Sequence, residues 1–407
     1  MWSIPSIRAT GDAQIHTLHT WMTQHTDELV KDLVSLAERE TPSDDLALLN
    51  AGAKYLDSWI VERIGEPESR EWHRSDVYGP IAVMDYPGQT ARRVTALAHF
   101  DTVFPSGSAR TWPVTTDGER VTGPGVFDMK SGLVQMIWAI KGLDELGIPR
   151  PTLRIVLNSD EEIGSPFSRP ILEQASLGSE AVLVFEGSAA QGAIKTARKG
   201  VGLFTVTVEG LEAHAGLDPE GGVSAIDEIA RVIRHLHDSA DLSKGTSINV
   251  GILHGGTRAN VMAGAATAHL DVRVSSASEQ SRVENVLASL TSHHPNAQIT
   301  VTGGWNRPIM SRTEGNIAMY ELARAVADCL RLELGEASVG GASDGNFAAA
   351  LGLPVLDGLG GVGSGAHARH ENISIPAMPQ RATLAAAVIA AFSAPTHQDG
   401  DAVISHQ

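Results

Sequence analysis

Three short apolar runs constrain this chain more than any other feature: RVTALAHFD (93–101), TLRIVLNSDEE (152–162) and AVLVFEG (181–187). Each is rich in Val, Ile or Leu without polar alternation, which suits strands buried on both faces of a sheet. Between the first two lies SGLVQMIWAIKGLDELG, where Leu133, Met136, Ile137, Ile140 and Leu143 recur at helical spacing and Gly147 supplies a stop. Strands and helices alternating in this way predict an α/β layer structure with a mostly parallel central sheet. In such sheets ligands bind beyond the carboxyl ends of the strands. There the three runs place His99 and Asp101, then Asp160, Glu161 and Glu162, then Glu186. A fourth acid, Asp128, lies in GPGVFDMKSG, whose glycines permit a tight loop directly before the helix.

Helical spacing also marks 16–40, through Trp21, Leu29, Leu33 and Leu36, and 46–64, through Leu49, Tyr55, Trp59 and Ile60. From about residue 199 the rhythm changes. GLFTVTVEG and ATAHLDVRVS alternate like strands with one open face, and AQITVTGG adds a strand ending near 304. They flank a helix at 224–238 in which Ile226, Ile229, Ile233 and Leu236 share a side, with Ser224 and Asp227 resembling a capping box. α/β signals resume with a helix at 313–331 and with LPVLDGLG. The expected division is therefore a first part at 1–198, an inserted α+β block at 199–311 and a second part at 312–407, with a polar tail past about 394 that frays.

A formal charge of -17 over 407 residues opposes nucleic acid or an anionic membrane as partner, while leaving a small anionic substrate open to local charge. No apolar run reaches the roughly 18 residues of a membrane span. The N-terminal MWSIPSIRATGDAQIHTLHTW lacks the basic and apolar regions of a secretory signal, so a cytoplasmic location is the default expectation. Cys329 is the only cysteine, which excludes an internal disulfide and a thiolate metal cluster. Any metal must sit on His, Asp and Glu.

Buried carboxylates are costly unless paired or coordinated, so acids and an imidazole converging on one sheet edge need a cation. Two zinc ions would supply it, and the same ligands accept Co²⁺ or Mn²⁺. On an extended strand His99 and Asp101 point the same way, so Asp101 is placed to orient the His99 ring from behind. Glu161 and Glu162 point apart, so one can bind metal while the other serves as general base.

HFDTV, GPGVFDMKSG, DEEIGS, FEG and GAHARHE resemble, in order and spacing, the dizinc metallopeptidase family of glutamate carboxypeptidase, aminoacylase, succinyl-diaminopimelate desuccinylase and acetylornithine deacetylase. The resemblance covers nearly the whole chain. It implies a zinc-exopeptidase-like catalytic domain, with the inserted block as a lid and dimerisation domain. Carried over by motif, His99 binds one zinc, Asp128 bridges both, Glu162 and Glu186 bind one each, and Glu161 is the base. The last ligand falls on His367 rather than His370, and a cis peptide is implied between Asp128 and Met129. Two Zn²⁺ against three carboxylates and one hydroxide then sum to zero charge. GLEAHAGLDPEGGVSAI resembles the lid motif, whose histidine, here His214, stabilises the oxyanion and often reaches the site of a partner subunit. RANVMAGAATAHLDVR and NRP place Asn260, Arg273 and Arg307 where relatives hold a substrate carboxylate. The implied activity is zinc-dependent hydrolysis of an amide bond next to a free amino-acid carboxylate by a homodimer acting on a small substrate. Deacylation or desuccinylation of an N-acyl amino acid, or dipeptide cleavage, is the alternative.

Singly these residues are ordinary: a strand-end histidine is more often a hydrogen-bonded structural group, and paired glutamates more often begin a helix. The ordered set reverses that. A rival reading takes GASDG as a nucleophile elbow around Ser343, with His367 downstream and HGGT at 254 as an oxyanion loop. It needs a strong strand before Ser343, where GEASVG is poor, and it leaves Asp128, Glu162 and Glu186 without a purpose. GGASDG reads better as a backbone loop lining the substrate pocket, backed by Asp344.

Overall fold

The computed structural model describes residues 11–393, so the C-terminal tail lies outside the described residues. The chain forms two compact units, Met1–Ala197 with Arg312–Val339 and Ser343–Gln407, and Arg198–Ser311 with Gly340–Ala342.

The first unit is built on an eight-stranded sheet. In spatial order its strands are Ser69–His73, Ile81–Tyr86, Pro151–Asn158, Thr90–His99, Ala181–Val184, Val355–Asp357, Ile194–Arg198 and Glu336–Val339. The four central strands from Pro151–Asn158 to Val355–Asp357 are parallel. They read as unbroken apolar runs because helices cover both faces; Ala181–Val184 is buried throughout. The helix Ser131–Glu145 departs from the expected single apolar face, since 12 of its 15 residues are buried. It is sandwiched between the strand Thr90–His99 and the helix Ala377–Ala391. A Cβ on Gly132 would meet the Phe185 carbonyl oxygen at 1.8 Å, so only glycine allows this helix so close to the strand end.

The helical pattern expected over 16–40 is two helices, Asp12–Gln24 and Thr26–Ala37. His25 breaks it, its Nδ1 lying 2.8 Å from the Trp21 carbonyl. A small sheet pairs Arg120–Thr122 with Asn372–Ser374, antiparallel, joining segments some 250 residues apart in sequence.

The second unit is a four-stranded antiparallel sheet in the order Ser247–Gly255, Ala265–Val274, Gly200–Glu209, Gln298–Arg307, carrying the helices Ala225–Asp238 and Ala277–Ala288. The last strand runs past the expected end near 304 to Arg307, through a bulge between Trp305 and Arg307. Ser224 caps the first helix, as its pattern suggests, but Ile226 lies outside; the buried stripe is Ala225, Ile229, Val232 and Leu236.

Candidate metal centre

Parallel strands deliver their carboxyl ends to one edge, and here the register places His99 opposite Asn158 and Leu97 opposite Val184. His99 closes its strand; Glu161 and Glu162 follow in the tight turn Glu161–Ile163, and Glu186 lies two residues past Val184. Asp128 sits in the turn Val126–Lys130 ahead of the long helix, beside a cis Asp128–Met129 peptide. Five side chains come together in two groups, His99 with Asp128 and Glu186, and Asp128 with Glu162 and His367. Within each group the ligand atoms lie within 4.8 Å of one another. His99 Nε2 stands 3.2 Å from Asp128 Oδ1 and 3.5 Å from Glu186 Oε1. His367 Nε2 stands 3.3 Å from Asp128 Oδ2 and 3.1 Å from Glu162 Oε2. The two oxygens of Asp128 therefore face different histidines, the arrangement a bridging carboxylate requires.

The profile of peptidase family M20/M25/M40 matches residues 96–391. The chain belongs to that family. Carboxypeptidase G2 of Pseudomonas sp. (strain RS-16) is 28% identical over 373 residues, 89% of this chain and 90% of its own length. Acetylornithine deacetylase of Proteus mirabilis (strain HI4320) is 25% identical over 272 residues, 63% of this chain and 67% of its own. Among solved structures, the M20 family metallo-carboxypeptidase Sso-CP2 of Sulfolobus solfataricus shares the fold with a TM-score of 0.71 at 16% identity, over 90% of this chain and 99% of that one. The Bacillus subtilis YXEP protein, a dinuclear metal binding peptidase of family M20, shares it with a TM-score of 0.64 at 15% identity, over 90% and 98%. The protein is thus an enzyme of the peptidase and amidohydrolase type.

The M20 donor set fits a cation pair on chemistry alone. Among the described residues no lysine or arginine forms an ion pair with Asp128, Glu162 or Glu186, although all three crowd the same edge. Hydrogen bonds to Asp128 and Glu162 push the His367 imidazole up to about 10. Burial pushes Glu162 up to about 7 in spite of its bond to His367. Burial opposes charge on His99 as well, yet hydrogen bonds to Asp101, Asp128 and Glu186 hold it well above the usual imidazole value. Such a site exchanges protons for metal.

Asp101, fully buried, stands behind both His99 and the glutamate turn. Its carbonyl oxygen lies 3.1 Å from His99 Nδ1 and its carboxylate 3.4 Å away. The carboxylate also accepts from Ser43 Oγ at 2.8 Å, from the Glu161 N–H at 3.3 Å and from the Glu162 N–H at 3.1 Å. Glu161 and Glu162 are separated by this anchored turn: the Glu162 carboxylate joins a cluster and that of Glu161 joins neither.

In the second unit the four expected residues divide into two pairs. The turns of His214 and Asn260 adjoin, with the Ala215 N–H bonded to the Asn260 carbonyl at 3.0 Å and His214 bridged to Val261. Arg273 and Arg307 flank Val201 on neighbouring strands, at the opposite end of the sheet. A ten-residue strand lies between the pairs, a span of about 30 Å. Asn260 and Arg273 of one chain therefore lie too far apart to hold the same carboxylate together. Arg273 is also engaged: it pairs with both oxygens of Asp271, at 2.9 and 3.1 Å, and donates to the Gly340 carbonyl at 2.8 Å. Arg198 holds the Gly341 and Ala342 carbonyls, at 3.0 and 3.2 Å, which explains why Gly340–Ala342 groups with this unit.

The serine rival meets two obstacles. A strand does precede the loop, at Glu336–Val339, but Ser343 is fully buried and donates to Asp357 at 2.6 Å. His367 stands with Asp128 and Glu162 instead. Asp344 accepts from Asn158 Nδ2 and Ser165 Oγ, both at 2.6 Å, so it braces the turn that carries the glutamates.

Sequence reasoning passed over three groups. Lys130 is buried beside Asp128, donates to the Arg39 carbonyl at 2.8 Å and is pushed down to about 8 by burial. Arg381 is buried in an apolar helix, bonded only to carbonyls, those of Gly192 and Gly360 at 2.9 and 3.1 Å and that of Gly358; burial lowers it to about 10. A lone cation in an otherwise apolar helix was its signal. Glu371 was visible only as the end of a motif.

Proposed function

We propose that this M20 enzyme is a dizinc exopeptidase that cleaves an amide bond next to a free amino-acid carboxylate, in the manner of a carboxypeptidase. The observation that carries the reading is the pair of histidine and carboxylate clusters sharing Asp128. We assign one ion to His99, Asp128 and Glu186 and the other to Asp128, Glu162 and His367. Bound there, the ions supply Lewis acidity to the scissile carbonyl and acidify the attacking water. Glu161, held next to Glu162 but outside both clusters, takes the proton from that water and returns it to the leaving amine. Asp101 fixes the turn from which Glu161 acts. Arg307 anchors the substrate carboxylate, and Arg273 supports it through the loop at Gly340.

We assign His214 to the oxyanion. Because His214 and Asn260 lie about 30 Å from Arg273 and Arg307, we give that pair to the site of a second copy, which makes the active species a homodimer. The sheet edge Ser247–Gly255, with Ile252 and Leu253 each more than half exposed, supplies an unpaired strand of the kind such a dimer covers. No described helix is long and apolar enough to cross a membrane. A reducing compartment such as the cytoplasm suits a chain with one cysteine.

The test is a panel of dipeptides, N-acyl amino acids and their carboxamide counterparts, assayed with a chelator, a serine-directed phosphonate and added Zn²⁺, Co²⁺ or Mn²⁺. Turnover should require a free carboxylate, vanish with the chelator and return with metal. Turnover that survives metal removal and ends with the phosphonate would sink the reading. The relationship to acetylornithine deacetylase favours a second substrate class, N-acetylated amino acids, which the same panel separates from peptides.

A further inference from the structure

Glu371 is fully buried, and its carboxylate collects three backbone N–H groups from a segment more than 240 residues away. Oε2 accepts from Gly125 at 3.0 Å; Oε1 accepts from Phe127 at 2.7 Å and from Asp128 at 2.9 Å. Its own carbonyl accepts from the Gly123 N–H at 3.2 Å, and the next residues pair antiparallel with Arg120–Thr122. The whole approach to Asp128 is thus held along one strand and one side chain. The need is local. The turn Val126–Lys130 has no side-chain cap of its own, Gly125 before it sits at φ 72°, and Asp128 and Met129 leave helical geometry. The N–H groups of Gly125, Phe127 and Asp128 converge on one buried point, where the two oxygens of a single carboxyl group satisfy them together.

At its other end Glu371 belongs to the turn of His367. The Glu371 N–H donates to the Ala368 carbonyl at 3.0 Å, and the Ala368 N–H to that of Gly365 at 2.9 Å. His367 lies inside this turn with φ 62°, a conformation uncommon outside glycine. One residue is therefore bound through the chain to His367 and through hydrogen bonds to Asp128, the residue common to both clusters.

Resting on the dizinc reading, we propose that Glu371 is a positioning residue that couples the two metal positions, setting the Asp128 carboxylate across both while fixing the turn of His367. Loss of Glu186 or Glu162 removes a donor from one cluster only. Loss of Glu371 loosens the shared donor, so both positions weaken together.

The experiment uses metal-stripped full-length protein titrated with Zn²⁺ by calorimetry and with Co²⁺ by visible absorption. Wild type should bind two ions. In Glu371→Gln one oxygen becomes an amide whose N–H groups oppose backbone donors, and both affinities should fall by about 10- to 100-fold, the usual loss when a ligand's outer partner is removed. The Co²⁺ absorption should shift at both positions. Glu40→Gln is the control: Glu40 also accepts two backbone N–H groups, from Gly107 at 3.0 Å and Ala109 at 2.8 Å, and belongs to neither cluster. It should bind both ions with wild-type affinity and spectrum. If Glu371→Gln does not fold, Glu371→Asp, which keeps both oxygens on a shorter arm, is judged by the same two readings. A folded Glu371 variant with two wild-type affinities and an unchanged Co²⁺ spectrum, or with one position weakened alone, overturns the proposal. Wild type that binds no zinc overturns the dizinc reading instead.

Discussion

The edge of the parallel sheet and the antiparallel sheet of the second unit treat sequence neighbours in opposite ways. In the parallel sheet, His99, Glu162 and Glu186 come from three separate strands and still meet, because parallel strands end on one side. In the antiparallel sheet, Asn260 and Arg273 belong to one continuous motif and finish about 30 Å apart, because a single extended strand carries the chain from one end to the other. Proximity in a motif says little about proximity in space unless the direction of the strand is known.

The contrast is tested most severely at Glu161. Glu161→Ala should lower kcat by about 10²- to 10⁴-fold while both ions stay bound, since it removes a base and no donor; loss of metal, read by elemental analysis, would show that Glu161 and Glu162 do not divide their tasks. Next comes His214→Ala, expected to cost about 10²- to 10³-fold as the loss of an oxyanion donor. Mixing it with Glu161→Ala should restore activity to about a quarter of wild type, because half of randomly paired dimers are mixed and each carries one intact site. No recovery after subunit exchange would place His214 in its own chain's site. A smaller effect is expected at Arg273. Already bound to Asp271 and Gly340, it should cost only about tenfold in KM on replacement by alanine, whereas Arg307→Ala should cost about 10²-fold or more, as truncation at a buried charged contact does. Equal losses would give the two arginines the same role.

The smallest effect concerns stability without metal. His367 is held up to about 10 by its bonds to Asp128 and Glu162, and Glu162 is raised to about 7 by burial, both above their ordinary values of 6.5 and 4.5. A group with a raised folded value contributes stability that is complete below its unfolded value and lost as pH climbs through the folded one. Metal-free protein should therefore lose a few degrees of Tm from pH about 4.5 to about 10, while the increment from added zinc widens. Calorimetric scans with and without zinc decide it; a flat metal-free profile would remove the proton-for-metal exchange.

Much of the architecture was readable before folding. Unbroken apolar strands, a glycine-rich loop before a helix and acids at strand ends all act through neighbours within a few residues, and the structure assembles each of them. The misses have one cause. His25 divides a helix through its own ring, and Ile226 turns outward from its helix; each depends on which partner a side chain meets. Ser343 shows the same thing in reverse, a passable motif whose hydroxyl is sealed against Asp357.

Local pattern sufficed for the kinds of element, the direction of the central strands and the chemical character of their ends, because hydrophobic period and turn chemistry are short-range. Which distant partners hold those ends was settled only by the assembled chain. Asp101 under the glutamate turn, Lys130 in the core and Glu371 beneath Asp128 are joined to their partners across roughly 60 to 250 residues by hydrogen bonds and buried charge. Such bonds depend on distance in space and leave no period in the sequence.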